Sequence, residues 1–324
     1  MAPSTTSPWP RRFARATLAA SLPLVLFGGT VTTLRAGMAE DGWLEPDGYL
    51  LWLYPLQLRL RNAGVFVEHH HREFGSLVGM LAIGLAIATF ACDRRRGARW
   101  LSVGTLLAIC AQGALGGFRV LENDPELAFL HGAFAHAVFA LIGANAIVAG
   151  HAWRARTRRG ADAARSGRDG LAAAARRATA LAVPVVYAQI VVGAWLRHSG
   201  SRAALGLHLF LVALVLLCVL RAQTALDAAG REFEVGALQR SARRLRWVLG
   251  LQVVLGLAAA IAVYGFSGGF DAEVSLGELV FATLHVLFGA LLLLETVGGA
   301  LWARHALAAA PAPAAAVASL EGAR

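Results

Sequence analysis

The sequence has 324 residues, of which 57% are hydrophobic and only 15% are charged. Soluble globular proteins carry about 25% charged residues, so this composition excludes a disordered chain and argues against an ordinary soluble enzyme. It predicts a membrane protein in which each span takes roughly 20 apolar residues. The net charge of +10 comes from 30 basic residues that are all arginine.

Eight apolar segments follow one another along the chain, joined by mostly short polar connections. Helices satisfy their backbone polar groups internally, as the hydrocarbon core of a bilayer requires. The pattern therefore predicts an all-α membrane protein with eight transmembrane helices, arranged as two pseudo-repeated four-helix bundles. The predicted spans are residues 16–34, 73–92, 100–118, 130–149, 179–197, 203–221, 247–265 and 277–302.

A connection rich in arginine, alanine and glycine separates the first four spans from the last four. The first apolar segment resembles a secretory signal peptide, but no clean small-residue cleavage site follows it, so we retain it as a span. The predicted units are an N-terminal half at 1–150, a cytoplasmic linker at 151–178, a C-terminal half at 179–303 and an Ala/Pro-rich tail at 304–324.

The arginines are distributed unevenly between the two sides of the membrane. With a cytoplasmic N-terminus, most of them lie in cytoplasmic tails and loops, and the positive-inside rule then predicts that both termini are cytoplasmic. Topology thus accounts for the basic runs, and the net charge does not indicate nucleic-acid binding. The seven arginines expected on the outer side are Arg35, Arg59, Arg61, Arg72, Arg119, Arg197 and Arg202.

A histidine recurs near the outer end of every even-numbered span, and two histidines on facing helices of a bundle form a bis-imidazole haem site. A single interfacial histidine is more often structural. Four at one depth favour ligands, because ionisable residues in spans are rare and functional. The expected pairs are His71 with His131, and His208 with His285.

Other histidines leave the ligand assignment open. Four of them lie at a similar depth and are alternative ligands, whereas two at cytoplasmic ends are expected to be solvated. The first group is His69, His70, His136 and His198, and the second is His151 and His305.

Small residues and glutamines accompany the histidines. A small residue one helical turn after a histidine leaves room for a flat macrocycle, but it serves close helix packing equally well. Three odd-numbered spans carry Gln-x-x-x-Gly, and these glutamines are either cofactor contacts or interhelical hydrogen-bond donors. The small residues are Gly75, Gly79, Ala135 and Gly289, the Gln-Gly pairs are Gln112/Gly116, Gln189/Gly193 and Gln252/Gly256, and span 1 offers Gly28 and Gly29.

Glu68 and His71 are three residues apart and share a helix face, so the carboxylate is a candidate base beside the first histidine pair. Arg72 and Arg119 suit haem propionates, which arginine binds in a bidentate manner, and Arg197 is a further candidate. The alternative is a Glu68–Arg72 ion pair on a wet helix end, which contributes little.

Glu295 lies well inside span 8, where a charge is costly. We expect it to be protonated or paired with a neighbouring helix. The three cysteines all fall in or beside apolar runs, so the sequence predicts neither a disulfide framework nor a zinc cluster.

Taken together, these motifs resemble the haem A synthase family in its bacterial form. The resemblance covers residues 25–300 and is carried by Gly28-Gly29-Thr30, Glu68-x-x-His71-Arg72-x-x-Gly75, Gln112-Gly113-x-x-Gly116-Gly117-x-Arg119, Leu130-His131 and the pair His208/His285.

The resemblance implies a multi-pass protein of the bacterial cytoplasmic membrane that oxidises the C8 methyl of haem O, through a hydroxymethyl group, to the formyl group of haem A for terminal oxidases. Haem O is then the substrate and haem b the cofactor. An electron acceptor, contact with a haem O synthase and oligomerisation stay open. In this assignment Glu68 is the essential carboxylate, His71 and His131 hold the haem O iron with Arg72 and Arg119 nearby, and His208 and His285 ligate the haem b iron.

The chain departs from the family pattern in three places. Residues 35–66 contain no cysteine pair, Leu209 follows His208 where arginine is common, and Asp41-Gly42-Trp43 replaces Pro-Asp-Trp. A mechanism that needs a loop thiol is therefore excluded. Two other functions stay open: a di-haem cytochrome that only transfers electrons, and a transporter built on repeats, for which Glu295 is the one midplane polar group.

Overall fold

The structure, a computed structural model, describes residues 7–156, 169–266 and 273–307. These residues form helices and connecting turns, and they contain no β-strand. Eight long helices dominate this part of the chain, and α7 continues into one π-helical turn at Ile261–Phe266. They are α1 (Trp9–Thr33), α2 (Ala63–Cys92), α3 (Arg96–Leu121), α4 (Pro125–Val148), α5 (Asp169–Ser199), α6 (Arg202–Glu232), α7 (Gly236–Ala260) and α8 (Leu276–Ala306).

Each of the eight helices is long and apolar enough to cross a bilayer, which confirms the predicted fold class of a multi-pass α-helical membrane protein. Their outer faces are apolar: Ile87, Leu107, Phe210 and Val254 are each more than 60% exposed. Such a surface is stable against lipid and unfavourable in water. The predicted orientation of the termini stays a prediction.

The helices extend beyond the apolar segments that predict them. The largest difference is at α2, which begins at Ala63, ten residues before the predicted start of span 2. Asn62 caps it, because its side chain accepts a hydrogen bond from the backbone N–H of Val65 at 2.9 Å. Glu68 and His71 consequently lie within a regular helix, so their side-chain directions are set by α2.

Helix packing divides the eight helices into two groups of four. In the first group α1 packs against α2, α2 against α3, α3 against α4 and α4 against α1; α5 to α8 close the same kind of ring. The groups meet where α8 contacts α1 and α4, and where α4 contacts α5. Each group thus has an interior of its own in which facing helices can hold a cofactor.

The connections between helices are unequal. The longest described one, residues 34–62, joins α1 to α2 and contains only short helical turns, at Pro46–Gly48, Leu51–Leu53 and Leu56–Arg59. We call it the first loop. Of the predicted linker and tail, residues 157–168 and 308–324 lie outside the described residues. The three cysteines have free thiols.

Candidate functional site

The structure brings the four predicted ligands together in the predicted pairs. The imidazole centroids of His71 and His131 are 6.2 Å apart, with the ring planes at 82°. Those of His208 and His285 are 6.3 Å apart, at 71°. All four rings are only partly buried and lie in the same third of the bundle, because each histidine is near the start of an even-numbered helix.

These separations match the size of a bis-histidine metal site. A metal–nitrogen distance of about 2 Å on each side, plus roughly 1.1 Å from nitrogen to ring centre, places two ligating imidazole centroids roughly 6 Å apart. Edge-to-face ring pairs without a metal have centroid separations of about 4.5–7 Å as well, so the distance is compatible with a metal and does not by itself require one. The described residues therefore fit a haem iron between each pair.

A glycine on the preceding helix lies directly beneath each histidine ring. A Cβ added at Gly28, Gly116 or Gly256 would lie 2.8 Å from the Cε1 atom of the facing histidine, and at Gly193 the distance would be 3.0 Å. A methyl group at the first three glycines would force the facing ring to move, and at Gly193 the ring would have to give by a few tenths of an ångström. The facing histidines are His71, His131, His285 and His208, respectively.

The structure separates the two roles considered for the small residues that follow the histidines, and room for a macrocycle stays a prediction. A Cβ at Gly79 would meet no heavy atom within 4 Å, and one at Gly75 would meet only Leu24, at 3.9 Å. These two glycines therefore do not serve close helix packing. The tight approach is made instead by the glycines of the odd-numbered helices.

A polar group four residues before each of these glycines contacts the same histidine. In the first half, Nδ1 of His71 lies 3.1 Å from the carbonyl oxygen of Leu24. Gln112 takes the equivalent position in α3, with Nε2 at 3.0 Å from Nδ1 of His131 and donating to the His131 carbonyl at 2.9 Å. The Leu24 carbonyl can accept a hydrogen bond from Nδ1–H of His71, as the second partner of a metal-bound histidine does, whereas the amide nitrogen of Gln112 is a donor to His131.

The second half repeats this arrangement. Nε2 of Gln189 lies 3.2 Å from both ring nitrogens of His208, and Nε2 of Gln252 lies 3.4 Å from Nε2 of His285. The glutamines are therefore interhelical hydrogen-bond donors, one of the two expected roles, and their partners are the histidines. Buried atoms without a partner remain at these sites: Oε1 of Gln112, Gln189 and Gln252, and Nδ1 of His285.

Glu68 is held beneath the first loop. Its Oε2 accepts the backbone N–H groups of Ala39 at 2.7 Å and Glu40 at 3.1 Å, and its Oε1 accepts a hydrogen bond from Arg72 at 2.9 Å. Both ion-pair partners are largely buried, with 3% and 11% of the side chain exposed. The Glu68–Arg72 pair exists, but in a buried position rather than on a wet helix end.

The two arginines proposed for propionates both donate to carbonyl groups of the first loop. Arg72 donates to Gly42 at 2.8 Å and to Trp43 at 3.2 Å, while Arg119 donates to the carbonyl of Gly37. The Trp43 ring covers Gly117 of α3 so closely that no Cβ would fit there. The first loop thus covers the end of the first helix group at which His71 and His131 lie.

His69 and His70 point away from the first histidine pair. Nδ1 of His69 lies 2.8 Å from Oε1 of Glu40, both side chains are fully buried, and the Tyr54 ring stacks on His69 at 4.5 Å. Nδ1 of His70 lies 2.6 Å from the carbonyl of Phe66. Burial raises the pKa of Glu40 to about 7, although Arg72 opposes the shift.

The remaining candidates lie elsewhere. His136 bonds the carbonyl of Gly132, and His198 approaches Gly132 as well, so both are near the junction of the two halves. His305 is not solvated as expected, because its Nε2 bonds the Trp153 carbonyl at 3.0 Å and its ring stacks on Trp153; His151 is exposed as expected. Glu295 pairs with Arg244 of α7 at 2.8 Å, which is one of the two expected outcomes.

Three functional contacts have no counterpart in the sequence reasoning. Glu40 lies in a loop without periodicity, so no pattern marks it as a partner of His69. The Leu24 carbonyl is a backbone group that no residue type reveals. Arg197 bonds Gly29 and Thr33 of α1 instead of an open site, and only the three-dimensional packing shows this.

Comparison with known proteins agrees with this geometry. The model of a family described as cytochrome oxidase assembly protein matches the chain over residues 1–142 and again over residues 53–205. These stretches contain Glu68, Arg72, Arg119 and the first histidine pair, whereas His208 and His285 lie beyond them. Searches of curated proteins and of solved structures found no match.

Proposed function

The chain belongs to the family of cytochrome oxidase assembly proteins, and from this membership we propose that it is a haem A synthase of the bacterial cytoplasmic membrane. In this proposal the enzyme oxidises the C8 methyl group of haem O, through a hydroxymethyl group, to the formyl group of haem A. The two histidine pairs support it, since both have a separation suited to a haem iron.

One difference between the two halves is the main support for an enzyme rather than an electron carrier. The residue three positions before the ligand is Glu68 in α2, but Ala128, Leu205 and Ala282 in the other even-numbered helices. Only the first pair therefore has a carboxylate three residues before one of its histidines, on the same face of the helix. Three donors converge on that carboxylate, which complements a negative charge held beside the substrate.

The residues of the first half divide into three roles. His71 and His131 bind the iron of haem O and fix the position of its ring. Each two-electron oxidation passes its electrons to an external electron acceptor, and Glu68 accepts a proton that the reacting carbon or its hydroxyl group releases in that step, as a positioned carboxylate does in general base catalysis. Arg72 and Arg119 exchange their loop carbonyl partners for the two propionates, because guanidinium binds carboxylates more strongly than neutral carbonyls.

The second half holds the cofactor in this proposal. His208 and His285 ligate haem b, which supplies one-electron transfer when it is bound. Gln189 and Gln252 contact these two imidazoles through their amide nitrogens, and Gly193 and Gly256 let the rings approach α5 and α7. No carboxylate lies three residues before either ligand, which suits a site that transforms nothing.

The second candidate is a di-haem cytochrome that only transfers electrons. The similar geometry of the two histidine pairs favours it, since an electron carrier needs no more than two such sites. The carboxylate distinguishes the two functions, because an electron carrier has no use for Glu68 as a base.

The test is Glu68→Gln, which keeps the side-chain shape and removes the charge. We expect conversion of haem O to fall by about 10²-fold or more, the usual contribution of a positioned base, with haem O accumulating. Chromatography of extracted haems measures the product. Glu122→Gln, an exposed carboxylate at the end of α3, is the control and should convert haem O normally. Normal conversion by Glu68→Gln would contradict the proposed role.

A further inference from the structure

A cavity of about 360 Å³ opens at the end of the bundle opposite the histidine pairs. Its wall consists of one face of α5 and the end of α8. On α5, Ala173, Arg176, Arg177 and Ala180 follow the spacing of three and four residues that places side chains on one helix face. Arg304 of α8 completes the lining.

The three arginines of this cavity have no carboxylate partner among the described residues. Arg176 donates to the carbonyl of Leu307, and neither Arg177 nor Arg304 takes part in an ion pair within the described part of the chain. Three positive charges around one cavity repel one another, and a bound anion relieves that repulsion. Alanine on either side of the arginine pair leaves the space for it.

The depth of the cavity indicates where the anion comes from. Arg304 lies in the last turn of α8, and at the same end of the bundle Trp100, near the start of α3, is 62% exposed. Tryptophan concentrates at the membrane–water interface, at the level of the lipid headgroups. Just inside this level, Leu181 of α5 is 59% exposed and offers an apolar surface for an acyl chain.

We propose that this cavity binds the phosphate of an anionic phospholipid at the cytoplasmic surface. Basic pockets between transmembrane helices on this side hold such headgroups. The positive-inside distribution explains why arginines are on this side, but it does not require three of them to share one cavity. The lipid phosphate bridges α5 and α8 and thereby stabilises the C-terminal group of helices.

The experiment uses the full-length protein, purified in detergent and stripped of lipid. Native mass spectrometry measures retained phosphatidylglycerol and, in parallel, phosphatidylcholine. We expect selective retention of phosphatidylglycerol and a rise in the thermal midpoint on adding it. Each arginine near the membrane surface contributes about 1 kcal/mol to the binding of an anionic lipid, which is roughly fivefold in affinity. The double variant Arg177→Gln/Arg304→Gln should therefore weaken binding roughly thirtyfold.

A matched control separates this site from general surface charge. Arg15→Gln/Arg240→Gln removes two exposed arginines from the same end of the bundle, outside the cavity. It should bind phosphatidylglycerol within about twofold of the unmodified protein. Equal losses in both double variants, or equal retention of phosphatidylcholine, would overturn the proposal. A titration with inorganic phosphate is the last arm: stabilisation equal to that by phosphatidylglycerol would show that the site takes free phosphate instead.

Discussion

Among single residues, the glycine beneath each imidazole is the most restrictive position. An α-helix presents a Cβ at every residue except glycine, so an imidazole can rest on a helix backbone only where glycine stands. Four odd-numbered helices meet this condition, at Gly28, Gly116, Gly193 and Gly256. The positions of the four rings, and with them the spacing of each histidine pair, therefore depend on the absence of a side chain at these glycines.

The variant Gly256→Ala tests this dependence. The new methyl group would lie 2.8 Å from Cε1 of His285 and displace the ring, so we expect loss of the low-spin haem spectrum. Gly250→Ala in the same helix is the control, because its Cβ meets no heavy atom within 4 Å. That control should keep the spectrum and gain up to about 1 kcal/mol of helix stability. A normal spectrum in Gly256→Ala would disprove the steric role.

Much of the site at this scale could be predicted from sequence, because histidine is rare in spans and its spacing repeats. The pairing of His71 with His131 and of His208 with His285 follows from that pattern. The function of the glycines could not be predicted, since Gly75 and Gly116 are equivalent by composition and differ only in what faces them. Whether the pairs bind haem O and haem b stays a prediction.

The first loop is the structural element that most affects access to the first histidine pair. It is held by Glu68 through two of its backbone N–H groups and by Arg72, Arg119 and Arg61 through its carbonyl groups. Haem propionates would compete for the same arginines. These hydrogen bonds hold the loop over the first histidine pair without a disulfide.

The pH dependence of this loop follows from Glu40. Its pKa is raised from 4.5 to about 7 because the closed loop buries it, so the closed loop binds the proton more tightly than an open, solvated loop. Closed-loop stability is therefore full below about pH 4.5 and falls as pH rises to about 7, by roughly 3 kcal/mol at most.

Hydrogen exchange of residues 34–62, corrected for the intrinsic pH dependence of exchange, measures this effect between pH 5 and 8. Protection should fall as pH rises in the unmodified protein and stay level in Glu40→Gln, which cannot ionise. Protection that rises with pH, or an unchanged slope in Glu40→Gln, would contradict the assignment. No periodicity marks loop residues such as Glu40, so sequence reasoning could not have identified this group.

For the whole molecule, the two groups of helices are joined through a small polar contact at the histidine end. Arg197 of α5 donates to the carbonyl of Gly29 and to Thr33 of α1, and Thr33 is 3.1 Å from Thr283 of α8. Gly29 also receives the methyl group of Thr283, at 3.3 Å from an added Cβ. Gly28 thus contacts His71 within its own half, and the neighbouring Gly29 contacts Thr283 of the other half.

Removing this link should destabilise the assembly of the two halves. Arg197→Gln loses a buried charged donor to two acceptors, which costs about 1.5–3 kcal/mol for each such bond, and the thermal midpoint in detergent should fall by several degrees. Arg202→Gln, exposed at the start of α6, is the control and should leave the midpoint unchanged. Equal midpoints for both variants would show that Arg197 does not hold the halves together.

The eight-helix architecture could be predicted because each span is read from its own hydropathy. Contacts between the halves could not, since no local pattern relates the residues they join, such as Arg197 and Gly29, which are 168 positions apart. Arg197 illustrates the difference: its position at an outer helix end predicts a propionate ligand, whereas in the structure it donates to α1 and links the two halves.

The central claim is that this protein converts haem O, and the most direct measurement is the haem content of membranes from cells that express it together with a haem O synthase. Extracted haems are separated by chromatography and identified by mass. The account predicts haem A or its hydroxymethyl precursor. Haem b together with unconverted haem O, and neither product, would contradict it and leave an electron-transfer cytochrome as the function.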